Sequence, residues 1–129
     1  MMTASQIMVV DDEAPIRNLF LKGFSQAGYS ICTAQSAEEA VAMLPKTSCR
    51  LFFLDLYLPD MSGIDLCRHI RQASPRNVCF AISGYDVLYE LDEFRLAEFE
   101  RAFIKPVNMA EMLAAAKSAL IKIASGKGP

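Results

Sequence analysis

Leu51-Phe52-Phe53-Leu54-Asp55-Leu56-Tyr57-Leu58-Pro59-Asp60-Met61-Ser62-Gly63 is the stretch on which the rest of the chain turns. Four apolar residues ending abruptly in a carboxylate read as a buried strand whose last residue emerges at a sheet edge. Pro59 and Gly63 then bend the loop away and release it into a helix. In parallel α/β sheets the site lies beyond the carboxyl ends of the strands. A lone aspartate there can simply start a turn or cap the next helix, so Asp55 is singled out by its companions. Asp11 and Asp12 follow an earlier apolar run, and Ser83-Gly84 and Lys105-Pro106 follow later ones. Each group stands just after an expected strand.

Working outward, Ile7-Met8-Val9-Val10 is the first strand, and residues 1–5 before it read as a loose leader. Pro15 suits the first turn of a helix, where its missing N–H costs nothing. Ile16, Leu19, Phe20, Gly23, Phe24 and Ala27 give that helix one apolar face, and Gly28 stops it. Tyr29 to Ala34 is a second strand. Ser36-Ala37-Glu38-Glu39 has the capping-box pattern and opens a helix through Leu44 that Pro45 ends. After the Asp55 strand a helix runs from about Gly63 to Ala73, with Ile64, Cys67 and Ile70 on one side, until Ser74-Pro75 breaks it. Val78 to Ile82 is the fourth strand. Residues 86–99 read as an untidy helix with an acidic, solvated side. Ala102-Phe103-Ile104 is the fifth strand. Asn108 with Glu111 caps a last helix whose buried stripe is Met109, Met112, Leu113, Ala116, Leu120 and Ile123, and Ser125 to Pro129 reads as a flexible tail. The domain proper is therefore expected over 6–124.

Five strands alternating with five helices indicate a parallel sheet covered on both faces. Right-handed crossovers make this a doubly wound α/β sandwich of strand order 2-1-3-4-5, a flavodoxin-like (βα)5 fold. Strands 1 and 3 are then neighbours, and Asp11, Asp12 and Asp55 converge on one crevice.

Composition bounds the function. The 129 residues form one domain, and 53% of them are apolar, too many for disorder. A net charge of −2 argues against a nucleic-acid or anionic-membrane surface. No apolar stretch reaches the roughly 18 residues of a membrane span, and no secretory signal opens the chain. Cys32, Cys49, Cys67 and Cys79 are widely spaced without a C-x-x-C pair, which reads as buried thiols in a reducing, cytoplasmic setting. The single histidine, His69, excludes a multi-histidine metal site and is expected to be an exposed helix residue.

Three carboxylates brought together repel one another and rise in pKa unless a cation intervenes. A hard divalent ion such as Mg2+ suits them, since it uses one or two carboxylates, several waters and a phosphate oxygen. Lys105 adds a point positive charge and Ser83 a hydroxyl donor. A metal, a lysine and a hydroxyl aimed at an anion beside a carboxylate nucleophile fit phosphoryl transfer to Asp55.

With Val9-Val10-Asp11-Asp12-Glu13, Asp55-x-x-x-Pro59-x-x-x-Gly63, Ser83-Gly84 and Lys105-Pro106 in order, the chain over residues 6–124 resembles a response-regulator receiver domain of two-component signalling. The resemblance implies that Asp55 accepts a phosphoryl group from the phosphohistidine of a histidine kinase or phosphotransfer protein. It also implies that Asp12 and Asp55 bind Mg2+ directly and Asp11 mostly through water, with the Tyr57 backbone carbonyl completing the protein ligands. Ser83 and Lys105 would hold the phosphoryl oxygens, and the Lys105-Pro106 bond is usually cis in the family. Partner binding would switch on the face made by the fourth helix, the fifth strand and the last helix, in a monomer or weak dimer. The downstream effector is not written in the sequence.

Two departures from the family pattern stand out. Ala102 occupies the place of an aromatic that swings inward on activation, and strand alternation sends Phe103 to the other face. Phe99-Glu100-Arg101 replaces the usual Gly-Ala before the strand. Tyr57 and Tyr85, each two residues beyond a site residue, are candidates to gate water or plain rim aromatics.

Other function classes fit less well. The chain is not expected to be an enzyme beyond catalysing its own aspartyl phosphorylation and dephosphorylation. An aspartyl-phosphate hydrolase of the haloacid-dehalogenase type wants a second aspartate where Tyr57 stands. An FMN-binding redox module would find its phosphate repelled by Asp11-Asp12-Glu13. No Walker-type G-x-x-x-x-G-K-[ST] occurs. A phosphorelay shuttle without its own output remains the alternative within the leading class.

Overall fold

A computed structural model describes residues 6–84 and 98–126. Five parallel strands, β1 (Ile7–Val10), β2 (Ile31–Ala34), β3 (Leu51–Asp55), β4 (Val78–Gly84) and β5 (Arg101–Lys105), form one sheet of order β2-β1-β3-β4-β5. The helices are α1 (Ala14–Gln26), α2 (Ala37–Met43), α3 (Gly63–Ala73) and the last helix, here α4 (Met109–Ala124). Among the described residues no helix is long and apolar enough to cross a membrane.

Why the sheet is covered on both faces follows from alternation along each strand. Met8, Val10, Phe52, Leu54, Cys79 and Ala81 face one core with residues of α2 and α3. Ile7, Val9, Leu51, Phe53, Phe80 and Ile82 face the other with α1 and α4. Phe53 is the centre of that second core. Its ring centroid lies 5.1 Å from Phe20, 5.7 Å from Phe24 and 5.2 Å from Phe80. Phe103 extends the row at 5.6 Å from Phe80, while Ala102 is exposed, as alternation in β5 requires.

The helix termini are closed by local chemistry. Ser36 Oγ accepts from the Glu39 N–H at 3.1 Å, and the Glu39 carboxylate reaches back to the Gln35 N–H at 3.4 Å. Ser62 Oγ caps α3 through the Asp65 N–H, and Asn108 Oδ1 caps α4 through the Glu111 N–H. Gly28, with φ of 91°, supplies the left-handed residue after α1.

Several boundaries differ from the sequence reading. Pro45 does not end the second helix outright: α2 passes at Leu44 into a 3-10 turn, Leu44–Lys46, because proline is tolerated at the start of a new turn. Tyr29 lies in the turn after α1, its N–H bonded to the Phe24 carbonyl at 3.0 Å, and β2 starts at Ile31. Within α1 only Phe20 and Phe24 are fully buried, and Leu19 remains 42% exposed. In α4 the fully buried residues are Met112 and three alanines, Ala115, Ala116 and Ala119, while the larger expected residues only flank them. Small residues let α4 lie close on the sheet. The last helix ends at Ala124, the expected end of the domain, with Ser125 as its C-cap, and Arg76 Nη2 donates to the Gly126 carbonyl at 2.8 Å. Of the helix expected over 86–99, residues 86–97 lie outside the described residues, as does Tyr85, and Glu98–Glu100 form a turn and bends. The expected leader 1–5 and residues 127–129 also lie outside them.

Candidate functional site

Register places the site. Val10 pairs with Leu54, so the next residues, Asp11 and Asp55, leave neighbouring strands side by side. Gly84 pairs with Lys105, which brings the lysine up beside them from β5. Ser83 comes from β4 between the two. Each backbone then turns sharply, and the turn is fixed by the carboxylate itself. Asp11 Oδ1 accepts from the Glu13 N–H at 2.9 Å, and Asp55 Oδ1 accepts from the Tyr57 N–H at 3.0 Å. Arg17 Nη1 adds a bond to the Asp11 carbonyl at 2.8 Å.

Gly63 allows the loop after Asp55 to fold back. A Cβ at this position would collide with the Asp55 carbonyl oxygen and lie 2.8 Å from Leu56 Cα. With hydrogen there, the Gly63 N–H bonds the Leu56 carbonyl at 2.9 Å. The loop's far side is tied down by Asp60, whose two oxygens accept from the Ala37 and Glu38 N–H groups at 3.0 and 2.8 Å. Those bonds hold the Asp60 carboxyl below its usual pKa. Sequence reasoning missed this cap, although a carboxylate suits a helix N-terminus.

Asp11, Asp12, Glu13 and Asp55 each offer a carboxylate oxygen, all within 4.8 Å of one another. Asp11 and Asp55 are buried, while Asp12 and Glu13 are exposed. Lys105 Nζ sits among them, 2.7 Å from Glu13 Oε2, 3.0 Å from Asp11 Oδ2 and 3.4 Å from Asp55 Oδ2. Glu13 as the lysine's nearest partner is a second feature the sequence reading did not assign. Its signal was present in the Asp-Asp-Glu run, but no spacing rule connects it to a residue 92 positions away.

Burial raises the pKa of both Asp11 and Asp55, and the turn N–H groups and Lys105 oppose this without cancelling it. For Lys105 burial works downward, but Glu13, Asp11 and Asp55 more than compensate and hold the ammonium above its usual range. One ammonium contacts three of the four carboxylates. The contact of Asp11 Oδ2 with Lys105 is electrostatic and lies outside hydrogen-bond geometry, which leaves that buried oxygen able to accept a ligand. Ser83 Oγ is fully buried with no hydrogen-bond partner among the described residues. A buried hydroxyl left unpaired is costly unless something binds there.

The donor set therefore fits a hard divalent cation. At this strand edge stand the expected Asp11, Asp12, Asp55, Ser83 and Lys105 and the turn carrying Tyr57, which is 61% exposed. The Lys105-Pro106 bond is cis. His69 is exposed on α3, away from the site.

Buried aspartates and a lysine at the carboxyl edge of a 2-1-3-4-5 sheet form an acidic pocket of the kind that fits a phosphoacceptor. Residues 7–117 match the family model of the response regulator receiver domain, and the chain belongs to that family. It is similar to the transcriptional regulatory protein ResD of Bacillus subtilis, 31% identical over 90% of this chain and 48% of that one. It spans about half the length of the curated relatives it matches. A CheY-like receiver domain protein from Methanospirillum hungatei superposes with a TM-score of 0.86 at 25% identity, covering 96% of this chain and 99% of that one. The response regulator TrrA of Thermotoga maritima, solved in complex with Mg2+-BeF, gives 0.79 at 26% identity over 89% of this chain and 98% of that one.

Proposed function

We propose that Asp55 is the phosphoacceptor of this receiver domain, charged from the phosphohistidine of a histidine kinase or phosphotransfer protein. The observation that carries the reading is the convergence of buried Asp11 and Asp55, Lys105 and the unpaired Ser83 hydroxyl at one sheet edge. An Asp55 carboxylate oxygen forms the bond to phosphorus as the histidine nitrogen leaves. Asp11, Asp12, Asp55 and the Tyr57 carbonyl would hold Mg2+, which when bound neutralises the carboxylates and draws in a phosphoryl oxygen. Lys105 passes from Glu13 to a phosphoryl oxygen, and Ser83 donates its hydroxyl to another. The chain acts on itself only. Tyr57 gives no carboxylate where a hydrolase of the aspartyl-phosphate type needs its acid–base group.

The new anion can drive a switch. Moving a two-state equilibrium from mostly off to mostly on takes about 5.5 kcal/mol. A charge-assisted hydrogen bond contributes roughly 1.5–3 kcal/mol, so Ser83 and Lys105 together supply most of it. Both lie at the ends of β4 and β5, so the output face is read as β5, α4 and the helix expected over 86–99. Widely spaced cysteines without a C-x-x-C pair support a reducing, cytoplasmic setting. The partner is a protein, and no contact of this domain with nucleic acid is proposed.

Intact mass after incubation with a small acyl phosphate, with and without Mg2+, tests the assignment. One added phosphate that requires both Mg2+ and Asp55 is expected. Phosphate that survives Asp55→Asn, or none on a folded protein that binds Mg2+, would overturn it. Continuous release of inorganic phosphate over many turnovers would favour a hydrolase.

A further inference from the structure

We propose that Cys32 and Cys49 form a peroxide-sensitive dithiol that closes to a disulfide inside one chain. Their sulfurs lie 3.7 Å apart, and a disulfide requires about 2.05 Å, so an approach of about 1.7 Å completes the bond. Cys32 is on β2, the edge strand, and is partly exposed, whereas Cys49 lies two residues before β3 and is 6% exposed. Both side chains belong to the core between the sheet, α2 and α3. The pair sits toward the end of β3 remote from Asp55, and the inference does not depend on the phosphoacceptor assignment.

Room for the movement is present. Cys49 borders an open cleft of about 380 Å³ together with Leu44, Pro45, Thr47, Arg50 and Asn77. The segment carrying Cys49 therefore has open space on its cleft side, while the Cys49 side chain faces the core that Cys32 packs against. The more exposed thiol is the one that meets oxidant at the sheet edge. The Cys32 contact and burial both push the Cys49 thiol above its usual pKa, which disfavours Cys49 as the first thiol to meet the oxidant.

The chemistry balances with hydrogen peroxide as oxidant. The Cys32 sulfur attacks one peroxide oxygen, the O–O bond breaks, and the other oxygen leaves with the Cys32 proton as water. Cys32 is then a sulfenic acid. The Cys49 sulfur attacks the Cys32 sulfur, the S–O bond breaks, and the hydroxyl departs with the Cys49 proton as a second water. Two thiols are oxidised to one disulfide, and the peroxide is reduced to two waters. A small dithiol reverses the bond by exchange.

The disulfide would enclose α2 in a covalent loop. That helix holds Asp60 of the phosphoacceptor loop through the Ala37 and Glu38 N–H groups, so the loop and the thiol pair share one element. Cys67 and Cys79 are fully buried and serve as internal controls.

The test treats the full chain with hydrogen peroxide, blocks remaining thiols with a maleimide under denaturing conditions, and maps peptides by mass. Two of the four thiols should escape the maleimide, with a Cys32–Cys49 crosslinked peptide within the monomer. Dithiothreitol should restore all four, and the oxidised protein should melt higher than the reduced one. Cys32→Ser and Cys49→Ser should each abolish the crosslink, leaving Cys67 and Cys79 reactive to the maleimide. Four maleimide-reactive thiols after a dose that oxidises free glutathione would overturn the proposal. So would over-oxidation of Cys32 without a crosslink, or a crosslink found only between chains or between Cys67 and Cys79.

Discussion

Glu13 Oε2 and Lys105 Nζ form the shortest ion pair of the site, 2.7 Å, which holds the lysine slightly away from Asp55. Lys105 is 16% exposed and supplies every ion pair these carboxylates make among the described residues. Lys105→Ala should therefore lower the stability of the metal-free protein by about 2 kcal/mol, the scale of a lost charge-assisted contact near buried charge. Saturating Mg2+ should shrink that loss, because the cation takes over the neutralising role. Urea melts with EDTA and with Mg2+ check this, and an equal loss in both would contradict it.

The raised carboxyl groups make a pH prediction. Asp11 and Asp55 lie above the ordinary value of 3.8 in the folded, metal-free protein, mainly through burial. The folded state thus holds these protons more tightly than the unfolded one. Their stabilising contribution is complete below 3.8 and fades as pH rises through the folded values. Asp55→Asn removes one such group, so the variant's melting temperature minus that of the parent should increase as pH rises above 3.8 in EDTA. Added Mg2+ should reverse the order by stabilising the parent alone. A difference independent of pH would show that the Asp55 charge does not strain the fold.

Gly63→Ala should act on both stability and the site. A methyl group there runs into backbone, the Asp55 carbonyl and Leu56 Cα, which cannot rotate aside as a side chain can. A cost of about 1–3 kcal/mol is expected, as for overpacking. The displaced Asp55 backbone should also slow phosphorylation by an acyl phosphate. Parent-like rates at full Mg2+ would mean that the loop accommodates the methyl away from Asp55.

Phe53→Ala removes the hub of the ring cluster that joins α1 to the sheet. A loss of about 3–5 kcal/mol follows for an aromatic at 0% exposure. Chemical denaturation gives the number directly. A loss under about 1 kcal/mol would require the cavity to collapse almost completely.

How much of this was legible beforehand differs by element. The strand cores were, because each is a short apolar run, but their ends were set one or two residues short at β4 and β5. A parallel ladder continues while a neighbour offers partners, and Gly84 pairs with Lys105 although neither residue favours a strand by composition.

By itself the sequence determined the sheet order and the meeting of Asp11, Asp55, Ser83 and Lys105. Each of these residues is placed by its own strand, and parallel strands in register leave only one edge for them. The tertiary structure decided what depends on helix rotation and side-chain reach. Glu13 bonding Lys105, Asp60 capping α2, Leu19 left exposed on α1 and Cys32 meeting Cys49 all join segments far apart in the chain. Hydrophobic period fixes which face of an element is apolar, but distances of a few ångströms between such segments arise only when the whole core packs.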